Sequence, residues 1–245
     1  MILTRRSLLA AAAASPAAML GARLAWALTP QQELIEKSRL TFEKLITSIE
    51  FGELPGYTKK AKAIMIFPEL YKGGFILGAE GGRGILAVRN GGSWSQPAFY
   101  TLAAGSLGLQ IGGQVSEVVL TIMSDKALNS VINDQLKFGG DMAIAVGPIG
   151  KGIGADTTTN FQADVYSFAK TAGLFGGVSF EGAGILKDDE WNAAYYGQGQ
   201  APLDVTVSGR NAEDPAAREH ALQLANALME RGVNAEDINL YVEQD

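Results

Sequence analysis

Cysteine is absent from this 245-residue chain, and histidine occurs once, as His220. The first absence excludes disulfides, thiolate metal sites, thiol nucleophiles and a lipid-modified cysteine. The second excludes a polyhistidine metal centre and leaves a nucleophile–base relay with one candidate base. That base lies between Glu219 and Ala221 in a helical pattern, with no Gly-x-Ser-x-Gly elbow in the chain, so it reads as an ordinary helix residue. Prolines number 8 against 30 glycines without a Gly-X-Y period, which excludes a collagen-like chain and points to many tight turns. With 47% apolar and 19% charged residues, the composition is that of a folded protein.

Phosphate loops are also missing. Gly147-Pro148-Ile149-Gly150-Lys151-Gly152 lacks the required gap and has Gly152 where a metal-binding hydroxyl belongs, and Gly82-x-Gly84 lacks the third glycine of a dinucleotide fingerprint. Carboxylates remain as catalytic candidates, namely Asp141, Asp156, Asp164 and Glu181, but nothing in their spacing requires them to meet. Asp188-Asp189-Glu190 reads as a solvated turn. No catalytic residue, metal or cofactor is therefore expected, and the chain is expected not to be an enzyme.

What is present begins with an address. Met1–Ala27 combines Arg5-Arg6, an apolar stretch from Leu8 to Leu20 and a small-x-small site at Ala25-Trp26-Ala27, the layout of an export signal. Thr4-Arg5-Arg6-Ser7-Leu8-Leu9 resembles a twin-arginine signal, with general secretion as the alternative route. The stretch is shorter than the roughly 20 residues of a membrane span and is broken by Ser15-Pro16. A cleaved signal and a periplasmic or peripheral envelope location are expected.

Charge is distributed unevenly. Without residues 1–27 the chain holds 17 basic and 26 acidic residues, a balance that opposes nucleic-acid binding. Within residues 55–95 the sign reverses: Lys59, Lys60, Lys62, Lys72, Arg83 and Arg89 face only Glu69 and Glu80. A local basic patch on an acidic protein is the expectation; scattered strand-edge cations are the alternative.

Thr29-Pro30-Gln31-Gln32 is a helix start with a capping box, and Leu34, Ile35, Ser38, Phe42, Leu45, Ile46 and Ile49 follow at helical spacing. Short β-type runs separated by glycine then take over: 61–67, 75–79, 84–88, 118–123, 142–146, 163–167 and 177–180. Asn90-Gly91-Gly92 signals a hairpin, and Ser124-Asp125 precedes a short helix. Strands over 203–207 and 238–242 and a helix over 215–231 complete the expectation. The fold class is α+β: a β-rich, glycine-rich, antiparallel curved sheet or barrel-like core with helices at both ends. Residues 28–199 form the domain, and 200–245 an acidic appendage.

An ordered set of segments resembles the SYLF domain family, a lipid-binding module of eukaryotes and bacteria. The set comprises Ala61–Phe67, Lys72-Gly73-Gly74-Phe75, Gly81-Gly82-Arg83-Gly84, Asn90-Gly91-Gly92-Ser93-Trp94-Ser95-Gln96-Pro97, Gly108–Gly112, Gly147-Pro148-Ile149-Gly150 and Tyr166-Ser167 leading to Gly173–Val178. The resemblance spans roughly residues 30–197 and implies binding to phospholipid or membrane, with actin bundling in some relatives. For an exported chain only anionic phospholipid binding is carried over. The candidate contacts are Lys59, Lys60, Lys62, Lys72, Arg83 and Arg89, whose ammonium and guanidinium groups suit phosphate. Phe175 joins them as an exposed apolar tip, whereas Trp94, Phe99 and Trp191 read by default as core. Two alternatives stand beside surface docking: a lipid carrier with an internal cavity, and an envelope scaffold that binds a protein partner through the acidic tail.

Overall fold

The computed structural model describes residues 28–74, 77–107, 112–133, 137–138, 142, 144–147, 163–173, 180, 182–197 and 215–233. The export-signal segment, Phe175, Asp141, Asp156, Glu181 and the strands expected at 203–207 and 238–242 lie outside the described residues.

Helix α1 (Pro30–Ile46) starts as its sequence dictates. The Thr29 hydroxyl accepts the Gln32 backbone N–H at 3.2 Å, and the Gln32 side chain accepts the Thr29 N–H at 2.9 Å. Its face of Leu34, Ile35, Ser38, Phe42, Leu45 and Ile46 is buried. A second helix, α2 (Leu54–Lys60), follows; Pro55 is tolerated because it sits in the first turn.

Among the described residues eight strands follow: β1 (Ala63–Gly74), β2 (Leu77–Asn90), β3 (Ser93–Trp94), β4 (Ala98–Leu107), β5 (Gly112–Ile122), β6 (Ile144–Val146), β7 (Val165–Gly173) and β8 (Gly184–Lys187). Helices α3 (Asp125–Ile132), α4 (Asp189–Tyr196) and α5 (Pro215–Val233) complete the described elements. The sheet order is β6-β7-β5-β1-β2-β4-β8, with β3 paired to β2, and the sheet curls into a half-barrel. The expected α+β class is therefore observed. One detail differs: β6 and β7 run parallel, so the sheet is mixed rather than wholly antiparallel.

Alternation along the strands builds two cores. Ile64, Ile66, Ile85, Ala87, Phe99, Val119 and Phe168 point to the face covered by α1, α2, α4 and α5. Ala63, Met65, Phe67, Leu86, Tyr100, Val118 and Leu120 point to the other face, which is closed by α3, Phe138, Met142 and Phe180. Helix α5 packs against α1 and α2, and its Leu224 and Leu228 sit in the first core. Packing thus crosses the boundary expected at residue 199.

Central strand β1 carries Pro68, which cannot donate to a ladder. The register shifts between Phe67 and Leu70 against β5, and between Ile66 and Tyr71 against β2, so a bulge absorbs the proline. The bulge brings β1 close to β2, and glycines make room for it. A Cβ on Gly82 would stand 2.3 Å from the Glu69 carbonyl oxygen, and one on Gly84 2.5 Å from that of Ile66. In the β2–β3 turn, Gly91 adopts φ 59°, the left-handed conformation that the Asn90-Gly91-Gly92 signal anticipates.

Beyond the bulge, Lys72 and Glu80 face each other across β1 and β2 with Nζ 3.6 Å from Oε2. Burial raises the Glu80 pKa, and Lys72 only partly opposes that shift. The native state therefore holds the Glu80 proton to higher pH than the unfolded chain does. Stability from this site is present at low pH and falls as pH rises from about 4.5 through the raised native value. Urea titrations across that window are expected to show a downward slope that Glu80→Gln flattens; parallel curves for the two proteins would remove the assignment.

Candidate functional site

The six cations read as one patch occupy three places. Lys59 and Lys60 are exposed in the last turn of α2. Lys62 begins the run into β1 and pairs with Asp125 at 2.8 Å, next to exposed Lys126 at the start of α3. Arg89, at the end of β2, reaches back to the same place. Its Nε donates to the Ala61 carbonyl at 2.9 Å, its Nη2 donates to the Thr58 carbonyl at 2.6 Å, and its guanidinium stacks 4.2 Å from the Trp94 ring centroid. Burial lowers the Arg89 pKa. This side chain satisfies the last carbonyls of α2 and fixes how Lys59 and Lys60 are presented.

Lys72 is elsewhere. Ten residues along β1 from Lys62, roughly 30 Å in an extended strand, it pairs with Glu80 and its side chain is only 13% exposed. Gln114 and Ser116, hydrogen-bonded at 3.0 Å, continue this polar layer on the second-core face.

Arg83 occupies the third place, on the helix-covered face. Where β1, β2 and β4 emerge from under α1 and α4, a cleft of about 560 Å³ opens. Arg83 Nε donates to Asp188 Oδ2 at 2.8 Å while its guanidinium lies 4.6 Å from the Trp191 ring centroid. Asp188 also accepts the Trp191 backbone N–H at 3.1 Å as the cap of α4. It is thus a helix start joined to a cation rather than the solvated turn read from the sequence. Opposite, Lys37 Nζ stands 3.1 Å from Glu33 and 3.2 Å from Glu69, and hydrogen bonds to these carboxylates raise its pKa. The charge on Glu69 raises the pKa of the neighbouring Tyr71 hydroxyl.

The cleft floor continues into bare sheet. Cross-strand register puts Ala172, Val115, Tyr71, Gly81 and Ala103 on one rung, and Gly113, Gly73, Ala79 and Gly105 on the next. Tyr71, Gly81 and Ala103 border the cleft, so both rungs lie on the helix-covered face, beyond where the helices end. Every residue of the two rungs except the half-buried Gly81 is exposed.

The aromatics divide by burial. Trp94 and Phe99 belong to the first core, and Trp191 packs against it half-buried. Sequence reasoning did not find Lys37, Glu69, Asp188 or the part of Trp191 that faces Arg83. An acidic first turn after Asp188 was the available signal for α4; the meeting of α1 with β1 left none. Among the other candidates, Asp164 accepts the Ser124 hydroxyl at 2.6 Å, the residue that caps α3. Among the described residues no helix is long and apolar enough to cross a membrane.

Comparison with known proteins agrees along the chain. Residues 103–230 match the Ysc84 family, described as Las17-binding protein actin regulator. The SH3 domain-containing YSC84-like protein 1 of Xenopus laevis is 35% identical over 146 residues, 59% of this chain and 43% of that protein. The protein of the same name from Homo sapiens is 31% identical over 177 residues, 71% of this chain and 51% of that protein. Protein YSC84 of Saccharomyces cerevisiae is 31% identical over 169 residues, 67% and 36% respectively. The chain spans about half or less of the length of these curated relatives. No solved structure matches it.

Proposed function

The chain belongs to the Ysc84 family, the family of SYLF domains, and from that premise we propose a non-enzymatic phospholipid-binding module that docks on anionic membrane surfaces. One observation carries the reading: Lys59, Lys60 and Lys62 crowd one end of the molecule, where Arg89 fixes the helix that presents two of them. Ammonium groups on such an end attract phosphate headgroups without covalent chemistry, and several must act together. The pairing of Lys62 with Asp125 does not remove it from the surface, because its side chain remains 42% exposed. Lys72 and Arg83 have no part in this docking end.

The layout of residues 1–27 supports an exported, periplasmic setting. An envelope lipid surface is the partner available there, and actin is not. Among the described residues the second core is filled by Phe67, Tyr100, Phe138 and Phe180, which favours surface docking over a carrier with an internal cavity on that face.

The test is vesicle sedimentation with mixtures of phosphatidylglycerol and phosphatidylcholine. Binding should rise with the anionic fraction and fall with salt. Lys59→Glu, Lys60→Glu and Lys62→Glu together should weaken it about 100-fold, taking about 1 kcal/mol for each basic side chain near the surface. Lys72→Met should leave it unchanged. Full retention of binding by the triple variant would overturn the docking end.

A further inference from the structure

We infer that the cleft beside α1 is a second lipid site, which takes one zwitterionic glycerophospholipid of the phosphatidylethanolamine class, with its acyl part lying along the bare sheet. This inference rests on the membrane reading and adds a headgroup preference different from that of the docking end.

Charge complementarity selects the headgroup. The cleft and its border hold Arg83 and Lys37 against Glu33, Glu69 and Asp188, two positive charges against three negative. A purely anionic headgroup would add to the excess negative charge, and a purely cationic one would make no use of the outer edge of the guanidinium, whose Nε alone is engaged by Asp188. A phosphate joined by a short linker to an ammonium satisfies both ends. Asp188 takes the Nε of Arg83, which leaves the terminal Nη pair in the geometry that engages two phosphate oxygens. Lys37 already stands between Glu33 and Glu69, so a ligand ammonium joins it on the opposite wall, where two carboxylates against one lysine leave a net negative charge. The Arg83 side chain is 49% exposed and that of Lys37 41%, so both are reachable.

Size and the apolar floor select the rest. The volume of about 560 Å³ exceeds what a headgroup needs and falls within the usual range for small-molecule sites. Leu34 and Trp191 continue the cleft wall as apolar surface. The rungs of glycine, alanine and valine, with the Tyr71 ring standing among them, then form a track across four or five strands, roughly 15–20 Å wide at the ordinary strand spacing. Glycines on this face leave the pleat open: at Gly73, Gly105 and Gly113 an added Cβ would meet nothing within 4 Å. A flexible acyl chain fits such a surface.

The experiment uses dihexanoyl phosphatidylethanolamine below its micelle concentration, so that binding is read without a membrane. Isothermal titration of the full chain should give saturable one-to-one binding, at least fivefold tighter than for dihexanoyl phosphatidylglycerol. Glycerophosphoethanolamine, which lacks the acyl chains, should bind at least tenfold more weakly. Arg83→Gln should weaken the ethanolamine lipid at least tenfold, and Ala103→Trp, which fills the cleft from its floor, should abolish binding. The triple Lys59, Lys60 and Lys62 variant should bind it like the unaltered chain. That arm separates the two readings, since loss of vesicle docking with retained cleft binding supports the cleft by itself. Absence of saturable binding, equal or tighter binding of phosphatidylglycerol, or full affinity in folded Ala103→Trp would each overturn the inference. Headgroup-only binding as tight as the lipid's would overturn the acyl track.

Discussion

Replacing Gly84 with valine is expected to destabilise the protein by about 3 kcal/mol, at the upper end of what overpacking costs. A Cβ there would approach the Ile66 carbonyl oxygen to 2.5 Å and the Phe67 ring to 2.5 Å, and Ile66 and Phe67 are both fully buried. The oxygen belongs to backbone held by the β1 bulge, so it has no rotamer through which to retreat. Gly73→Val is the control: the same change on the neighbouring strand, where nothing lies within 4 Å, should stay within about 0.5 kcal/mol of the parent as an ordinary surface substitution. Urea unfolding of the three proteins measures the difference. Equal midpoints for the two variants would show that the bulge gives way easily.

Asn192→Leu should cost about 2 kcal/mol, because it orphans the buried Phe99 N–H, and a lost partner of that kind costs about 1–3 kcal/mol. Asn192 is 1% exposed and behaves as a missing strand beside β4. Its Oδ1 accepts the Phe99 N–H at 2.9 Å, and its Nδ2 donates to the Phe99 carbonyl at 2.9 Å and the Asp188 carbonyl at 2.8 Å. Strand β8 pairs with β4 only from Tyr100 onward; the Phe99 carbonyl also accepts the Asp188 N–H at 3.0 Å, which leaves the Phe99 N–H as the group that depends on the side chain. Asn192→Asp should also destabilise, since it keeps the acceptor but turns a carboxylate toward two carbonyl oxygens. Hydrogen exchange at the Phe99 amide gives the local readout: protection should drop in the leucine variant well before global unfolding. An amide as slow as in the parent would refute the role.

The parts of the fold legible from sequence were those with local causes. The capping box of α1, its apolar stripe and the turn at Gly91 each follow from a few adjacent residues. Strand β2 was split in expectation because Gly81, Gly82 and Gly84 read as breaks, whereas they are the residues that let β1 bulge around Pro68. Strand β4 escaped because Ala103, Ala104 and Gly105 carry little β pattern; its partners β2 and β8 define it. Helix α4 escaped because three acids in a row look like solvated surface until one of them is seen to cap.

The basic surface shows the same limit. Local charge balance identified the cations but not their directions. Arg89 turns inward to carbonyls, Lys72 faces Glu80, and Arg83 faces a carboxylate more than 100 positions away in sequence. Lys59, Lys60 and Lys62 stay together because they are neighbours in the chain. The cleft, assembled from α1, three strands and α4, has no sequence signature of its own.

The contact between α1 and α5 bears on how the molecule is made. The earliest described helix to leave the ribosome finds one of its packing partners only when α5, far along the chain, has emerged. Until then the seat later taken by Leu224 and Leu228 stands open. Nascent chains that stop short of α5 should therefore carry a greasy, half-built flank that recruits chaperones, and the emergence of α5 should release them.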